Sequence, residues 1–387
     1  MRSPQVFPLR HKHVALAATC ATALFTAAAV ARHAQGHEPS HEPSHEPSSH
    51  HDGPDGHHGN GNGNGSGNGH DHFTIALFGD MPYNDLGRAQ YPALLADINS
   101  SDVAFSVFDG DLKAGGDGPC TDEHLYFPAL ASFATLERPL IWVPGDNDWT
   151  DCWGRYGPGT GDADPLERLA HERQLFASTD RSLGHRTLRL LRQSTEGGAY
   201  AQYVENVRWD YGPVVFLGVN VQGSNDNYPY AGVDGETRPQ AEIDRMRAEE
   251  TARKAAVLRW LDEGFAHARE VHARGVMIVW QADPNFNNDQ HLADPRSGDA
   301  FPAYVDALRT LSLGFAGQVV LVHGDGHYFK IDQPLSGPQG GVVANFTRVE
   351  TFGARNTHWV SATIDADDPQ VFSFRPRIVS ANVDPTP

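Results

Sequence analysis

Four short apolar runs along this chain each end in glycine and aspartate residues. The runs with their polar ends are residues 75–80, 103–111, 140–148 and 319–327. The third also carries Asn147, and the fourth reads His-Gly-Asp-Gly-His at its end. Apolar runs of this length fit buried strands, and polar side chains at the carboxyl ends of strands are typical of the sites of open α/β sheets. The repeated pattern therefore predicts one polar site built from four strand ends.

The remaining apolar positions predict strands and helices that alternate after residue 72. Leu86, Leu94, Leu95 and Ile98 fall on one face at helical spacing and predict a helix over 85–99. The other predicted helices are 121–136, 165–176, 239–270 and 301–311. The predicted strands are 73–78, 103–108, 140–143, 199–209, 213–219, 276–280, 319–323, 342–349, 359–364 and 370–374. Helices and strands alternating twice around a central hairpin predict an α/β fold, a two-sheet βαββαβ-type sandwich flanked by helices.

The first 72 residues differ from the rest of the chain. A basic start precedes an Ala-rich apolar run over 14–30 and a small-residue cleavage site, which predicts a signal peptide over residues 1–31, with an uncleaved anchor as the alternative. Residues 32–72 repeat His-Glu-Pro-Ser and Gly-Asn units and hold ten histidines. They are predicted to be a disordered linker, although such a tract can also chelate Zn²⁺, Ni²⁺ or Cu²⁺. Residues 73–387 are predicted to form the folded domain.

Charge and cysteine content narrow the functional classes. The formal net charge is −19, so the clustered basic surface that nucleic acids require is not expected. No apolar run after the signal segment has the length of a membrane span. Cys120 and Cys152 each lie a few residues beyond an acidic strand end, and in an oxidising compartment they are expected to form a disulfide, with two independent thiols as the alternative. The sequence thus predicts a periplasmic or secreted protein.

In their order along the chain, the strand-end motifs resemble those of the calcineurin-like metallophosphoesterases. The resemblance covers residues 73–375 and depends on four motifs together, because no single one is specific. It implies two mixed sheets between helices, with a two-metal centre at the sheet edge. Carried over position by position, it implies that Asp80 and His327 bind one metal, that Asn147 binds the other, and that Asp111 bridges the two. Asp148 stands where the family keeps a catalytic histidine.

Three imidazoles of the family pattern are replaced in this chain. Pro82 takes the third position of the first motif, Gln281 stands for a histidine after the long helix, and Asp325 stands for the first histidine of the last motif. The resemblance implies that Gln281 and Asp325 complete the second metal site, with His323 as a substitute imidazole. Such an oxygen-rich ligand set shifts the preference from Zn²⁺ toward harder ions such as Mn²⁺, Mg²⁺ or Ca²⁺, or weakens one site altogether, and Fe stays among the candidates. Tyr83 resembles the iron-binding tyrosine of purple acid phosphatases but belongs to a different motif.

The chemistry expected of such a centre is phosphoester hydrolysis. Two divalent ions neutralise charge on a phosphoryl group and activate a water molecule. Asp148 is the expected proton donor to the leaving group, provided that its surroundings raise its pKa. Lys113, Arg155 and Asn220 are candidates to hold phosphate oxygens, on their position in the site loops alone. Asp146 is expected to play a supporting structural role.

The sequence therefore predicts an exported, metal-dependent hydrolase of phosphomonoesters or phosphodiesters, acting on a small molecule or a polymer. Two alternatives stay open. One is a degenerate family member that binds metal or phosphate without turnover, because three ligand imidazoles are missing. The other is a periplasmic metal-buffering protein in which the His-rich tract is the functional part.

Overall fold

A computed structural model of the chain describes residues 70–153, 163–228, 239–284, 286 and 300–384. The predicted signal segment, the predicted linker up to residue 69 and the candidate phosphate ligand Arg155 lie outside the described residues. The elements given below belong to one compact unit, Gly65–Pro387. Whether the predicted domain begins at residue 73 stays a prediction.

The described elements include two mixed β-sheets. The first has five strands in the order β12-β11-β1-β2-β3, in which β1, β2 and β3 run parallel. Its strands are β1 (His72–Phe78), β2 (Ser106–Phe108), β3 (Leu140–Trp142), β11 (Trp359–Asp365) and β12 (Phe372–Arg377). The second has seven strands in the order β4-β5-β6-β7-β8-β10-β9, in which β6, β7, β8 and β10 run parallel. Its strands are β4 (Leu191–Arg192), β5 (Val207–Tyr211), β6 (Val214–Gly218), β7 (Gly275–Val279), β8 (Gln318–His323), β9 (Lys330–Asp332) and β10 (Phe346–Glu350).

Alternation along the strands divides the core into layers. In β1, Ile75 and Leu77 face a cluster shared with residues of the second sheet, such as Phe216 and Val320, so the two sheets pack face to face. Phe216 stacks on Trp209 with ring centroids 5.1 Å apart. Burying each of these large side chains contributes roughly 2–3 kcal/mol. The sandwich that the sequence predicts is therefore present as an α/β fold with two multi-stranded sheets.

Helices cover the outer faces of both sheets. Five of the described helices are α1 (Asp85–Ser100), α2 (Phe127–Phe133), α3 (Pro165–Phe176), α4 (Gln240–Glu270) and α5 (Pro302–Leu313). Leu94 and Ile98 of α1 pack with Phe78 on the first sheet. Trp260 of α4 and Tyr304 of α5 pack on the outer face of the second sheet. The layers that result are helix, sheet, sheet and helix.

Most predicted elements are confirmed, although several begin or end at other residues. The predicted helix 121–136 begins with a π-helical turn, Asp122–Tyr126, before α2. The predicted strand 199–209 is wrong over its first part, because only Val207–Tyr211 pairs with β6. Upstream of that strand, Gly197 and Gly198 adopt φ values of 69° and 56° between two short 3₁₀ turns. Glycine tolerates this left-handed backbone, which breaks an extended strand.

The predicted disulfide between Cys120 and Cys152 is confirmed, with Cα atoms 5.8 Å apart. It links the loop after β2 to the short helical turns after β3, and both segments follow acidic strand ends. With 32 residues of separation, the crosslink contributes roughly 3–4 kcal/mol by the loop-entropy relation. Among the described residues, no helix has both the length and the apolar character of a membrane span.

Candidate metal centre

The polar strand ends of both sheets converge on one place. The backbone N–H of Asn147, after β3, donates to the Asp111 carboxylate after β2 at 3.0 Å. The backbone N–H of Asp325, after β8, donates to the Asp80 carboxylate after β1 at 2.9 Å. Nε2 of His327 lies 3.5 Å from Asp80 Oδ1. The structure thus brings together five of the predicted metal ligands, which come from four strand ends.

The backbone at this centre is held in an unusual conformation. Asp80, Asp111, Asp325 and His327 have φ values of 50°, 65°, 69° and 70°. Non-glycine residues adopt this left-handed region rarely, and such residues cluster at functional sites where surrounding contacts hold them in place. Here hydrogen bonds between the loops hold it, since Asp80 N–H donates to the carbonyl of Gly110 at 2.8 Å.

The glycines of the Gly-Asp pairs allow the loops to approach the carboxylates. A Cβ atom on Gly324 would lie 2.0 Å from Oδ2 of Asp80, and one on Gly145 would lie 2.1 Å from Oδ1 of Asp111. Real Cβ atoms do not come so close, so each position accepts only glycine without a shift of the carboxylate. The repeated Gly-Asp pattern therefore reflects backbone packed against the neighbouring acid.

The centre is strongly acidic, and its carboxylates form no ion pair with Lys or Arg in the part of the chain that the structure describes. Burial, followed by the charges of Asp146 and Asp80, raises the pKa of Asp111 well above its usual value. The same causes in the same order raise the pKa of Asp325. Within the described ranges, Asp80, Asp111, Asp146 and Asp325 form no ion pair with Lys or Arg. Buried carboxylates in such a group require protons or bound cations.

Tyr83 lies between two of these acids. Its hydroxyl is 2.9 Å from Oδ1 of Asp80 and also donates to Oδ2 of Asp111. The side-chain nitrogen of Asn147 approaches the same hydroxyl at 3.2 Å and Asp111 as well. Burial, followed by the charges of Asp111 and Asp80, raises the pKa of Tyr83 well above its usual value. The phenol therefore keeps its proton and acts as a donor to the carboxylates.

His327 is the imidazole of this centre. Its ring meets Tyr83 edge to face at 5.0 Å, and its side chain is 31% exposed. Burial lowers its pKa, but the hydrogen bond and the charge of Asp80 outweigh that effect and raise the pKa overall. The ring thus sits at the mouth of the centre, where solvent reaches it.

Gln281 and Asp146 approach the same centre through a tight turn. Oε1 of Gln281 accepts the N–H of Gly223 at 2.5 Å, and Oδ2 of Asp146 accepts the hydroxyl of Ser224 at 2.7 Å. A Cβ on Gly223 would lie 2.9 Å from both Asp146 and Asp325. Asp146, expected to be merely structural, therefore belongs to the group of acids.

This turn, the Gly223 turn, has a left-handed backbone over four successive residues. Ser224, Asn225, Asp226 and Asn227 have φ values between 47° and 61°. The fully buried guanidinium of Arg253 holds the turn, because it donates to the Asp226 carboxylate and, at 2.8 Å, to the Asp226 carbonyl. Burial raises the pKa of Asp226 to about 6 in spite of this pairing. At neutral pH the pair is therefore still largely ionised.

The structure places Asp148 behind the loops. Its fully buried carboxylate accepts the N–H groups of Asp111 at 3.1 Å, Leu112 at 2.6 Å and Gly145 at 3.0 Å. Burial raises its pKa to about 7, against the effect of these hydrogen bonds. Both oxygens are occupied by backbone groups, so the contacts of Asp148 do not support the predicted proton-donor role.

Two predicted phosphate ligands form hydrogen bonds with groups outside the acidic centre. The Lys113 ammonium is buried and donates to carbonyls of its own loop, Ala114 at 3.2 Å and Gly115 at 3.4 Å. Asn220 is fully buried, and its side chain donates to Glu205 at 3.2 Å. Position in a site loop predicted these two residues, but it does not determine the direction of a side chain.

His323 also departs from its predicted place. One of its ring nitrogens lies with carboxylate oxygens of Asp283 and Glu350, all within 4.8 Å of one another. Among the described residues, this is the only group of three His, Cys, Asp or Glu side chains that is so tightly spaced. No sequence motif indicated Glu350, although this residue ends β10 beside the last residue of β8.

No protein-family model and no curated protein sequence matches this chain. Among solved structures, the chain is similar to one described as "GAP50 the anchor in the inner membrane complex of Plasmodium". That similarity has a TM-score of 0.40 and 10% sequence identity, and it covers 79% of this chain and 89% of the other. A similarity at this level supports no conclusion about activity.

Proposed function

We propose that this chain is an exported, metal-dependent phosphoesterase with a metallophosphoesterase-like fold, hydrolysing phosphomonoesters or phosphodiesters. The main support is the group formed by Asp80, Asp111, Asp146 and Asp325, which lies at converging strand ends without a Lys or Arg partner among the described residues. The disulfide is typical of exported proteins and supports a periplasmic or secreted location.

The residues present fit divalent cations. Asp80 and His327 would hold one ion and Asn147, Gln281 and Asp325 the other, with Asp111 between them. Oxygen ligands predominate, which suits Mn²⁺, Mg²⁺ or Ca²⁺, with Fe and Zn²⁺ as the other candidates. Such ions, when bound, supply charge neutralisation for a phosphoryl group and an acidified water. Asp146 adds a further carboxylate, and one of its oxygens has no hydrogen-bond partner within the described residues.

The chain's own residues would orient the side chains that bind the metal ions. The Tyr83 hydroxyl keeps its proton and shares it in hydrogen bonds with the Asp80 and Asp111 carboxylates, so it would hold these two acids in position. Asp148 holds the loops that carry Asp111 and Asp146 by accepting backbone N–H groups. Gly223 N–H orients the Gln281 amide. These contacts preorganise the acids before substrate binds.

The decisive experiment measures hydrolysis of p-nitrophenyl phosphate and of its bis ester by the full chain with Mn²⁺, Zn²⁺, Mg²⁺ or Ca²⁺. We expect turnover with at least one metal and a loss of roughly 100-fold or more in Asp111→Asn. Asp85→Asn is the matched control, since that side chain is 99% exposed at the start of α1. Equal activity in the two variants would contradict the proposal.

A degenerate, metal-binding member without turnover is the second candidate. It is favoured by the contacts of Asp148, whose oxygens are occupied by the backbone, and by the absence of Lys or Arg pairing with the acidic group in the described residues. Stoichiometric metal binding that depends on Asp111, combined with no hydrolysis of either ester, would support this candidate over the enzyme.

The metal-buffering hypothesis concerns residues 32–72, of which all but the last three lie outside the described ranges. It stays a prediction. Metal stoichiometry and activity of the chain with and without residues 32–72, compared under metal limitation, test it. Unchanged occupancy after the deletion would leave the tract as a linker.

A further inference from the structure

Three side chains outside the acidic group form a second cluster at the same edge of the second sheet. His323 is the last residue of β8, and Glu350 is the last residue of β10, its partner in the strand register. Asp283 follows the end of β7 by four residues. One ligand atom from each residue lies within 4.8 Å of the others.

His323 is prepared to act as a ligand. Its Nδ1 lies 2.8 Å from the carbonyl oxygen of Gly324, which can only accept, so Nδ1 carries the proton. Nε2 therefore presents a lone pair, and it is fully buried without a hydrogen-bond partner in the described part of the chain. A buried acceptor without a donor is unfavourable, and a bound cation would satisfy it.

Two basic residues of the described ranges contact the carboxylates of this cluster. Lys330 Nζ lies 3.0 Å from Glu350, but its side chain is 44% exposed and can turn to solvent. Arg348 lies 3.5 Å from Asp283, while its guanidinium forms a two-pronged pair with Asp332. Neither cation donates to Nε2 of His323. The cluster keeps two carboxylates and one imidazole lone pair in close proximity.

We propose that Asp283, His323 and Glu350 bind a transition-metal dication such as Zn²⁺, at a site separate from the Asp80–Asp111 centre. One imidazole nitrogen and two carboxylate oxygens form a donor set that suits Zn²⁺, and three protein ligands leave a position for water. The proposal does not depend on phosphoester hydrolysis. In this assignment His323 binds its own ion, whereas the sequence resemblance implies that it is a substitute ligand of the Asp80–Asp111 centre.

Such an ion would tie together three segments that support the acidic centre. The backbone N–H of Asp283 donates to Oδ2 of Asp325 at 3.2 Å. His323 directly precedes the Gly324–His327 loop, and Glu350 accepts the N–H of Tyr328 at 3.2 Å on the other side of that loop. A metal between these residues would fix both ends of the loop that carries Asp325 and His327.

The test counts Co²⁺ ions bound by the full chain and records Co²⁺ absorption spectra. The variants are His323→Asn, the double variant Asp80→Asn with Asp111→Asn, and the two combined. We expect His323→Asn to lose one Co²⁺ per chain and the imidazole-dependent part of the spectrum. We expect this loss to be additive with that of the double variant. The His-rich tract is the same in every protein, so its binding cancels in the differences.

His358→Asn is the matched control, because His358 is half-buried and outside the cluster. If His323→Asn fails to fold, Glu350→Gln takes its place, since glutamine keeps an oxygen for the Tyr328 amide. Zn²⁺ should raise the unfolding temperature of the double variant but not of the combined variant. Unchanged Co²⁺ binding in His323→Asn would overturn the proposal. So would the loss of one and the same ion in His323→Asn and in the double variant, with no further loss when the two are combined.

Discussion

At the scale of single residues, the group that most affects the candidate centre is the hydroxyl of Tyr83. It lies within hydrogen-bond distance of Asp80 and Asp111 and keeps its proton. In metal-free protein its hydrogen bonds stabilise two buried carboxylates that repel each other. When cations are bound, that stabilisation is no longer required.

The Tyr83→Phe variant tests this role. In EDTA we expect it to lose roughly 1–3 kcal/mol in the free energy of unfolding, because two buried acceptors lose their donor. Saturating Mn²⁺ should reduce the loss, since the ion takes over the same oxygens. Urea unfolding under both conditions measures the effect. Tyr328→Phe is the control, with a side chain that is exposed, and equal losses in both variants would contradict the argument.

The glycines of the strand ends act at the same scale. Gly324→Ala should weaken metal binding by roughly tenfold or more and destabilise the protein by about 1–3 kcal/mol, because the new Cβ overlaps the Asp80 carboxylate. Gly341→Ala serves as the comparison, since a Cβ there meets nothing within 4 Å. Mn²⁺ titration and thermal unfolding report the two effects. Unaltered Mn²⁺ affinity in Gly324→Ala would contradict the close approach seen here.

At the scale of elements, the Gly223 turn is the least regular part of the site, and α4 supports it. Arg253, fully buried on α4, holds the turn through Asp226 and also donates to the Asn220 carbonyl at 3.0 Å. A left-handed backbone over four residues costs free energy that local interactions alone do not offset. The helix therefore supplies the contacts that keep Gly223 and Ser224 in place.

Arg253→Met should unfold the turn or the protein. Removing one partner of a buried pair leaves Asp226 uncompensated, so we expect a loss of about 3–5 kcal/mol. The control is Arg269→Met, at the exposed end of the same helix, with an expected change under about 0.5 kcal/mol. Urea unfolding compares the two variants. A loss of similar size in both would show that the buried pair is not what stabilises the turn.

The turn also shows where sequence reasoning ends. Gly-Asp after an apolar run predicted Asp80, Asp111 and Asp325, because strand direction determines where such ends meet. No local pattern indicated the left-handed turn, since its support comes from Arg253, a residue distant in sequence. The contacts of Asn220 could not be predicted for a related reason, because the direction of its side chain depends on a buried neighbour in another loop.

At the scale of the whole molecule, two sheets bring four strand ends to one edge. The positions of most strands were predictable from apolar runs, because both faces of each sheet bury side chains. The register was not predictable, and it is the register that sets Glu350 opposite His323. The fold was therefore readable from periodicity, whereas the pairing of site residues depended on strand partners that periodicity does not specify.

Because acids are gathered at one edge, the free energy of unfolding of the metal-free protein is expected to fall as the pH rises. A carboxyl whose folded pKa is raised contributes stability fully below its unfolded pKa of about 4, and that stability is lost as the pH rises through the folded pKa. The folded pKa is about 7 for Asp148, and it is raised for Asp111 and Asp325. His327, also raised, acts in the same direction. The lowered pKa values of His323 and His358 act oppositely in this pH range, but these two groups face at least three raised carboxyl groups as well as His327.

We therefore expect the protein in EDTA to be less stable toward urea at pH 8 than at pH 5. Mn²⁺ should reverse this order, because ionised carboxylates bind the ion and binding to the folded state adds stability that grows with pH. The double variant Asp80→Asn with Asp111→Asn should lose most of the Mn²⁺ effect while still folding, since amides keep the shape of the acids without their charge. If the EDTA-treated wild-type protein instead gained stability between pH 5 and pH 8, the acids at this edge would have to be balanced by groups other than a bound cation. The burial and mutual repulsion of these acids would then no longer imply a bound cation.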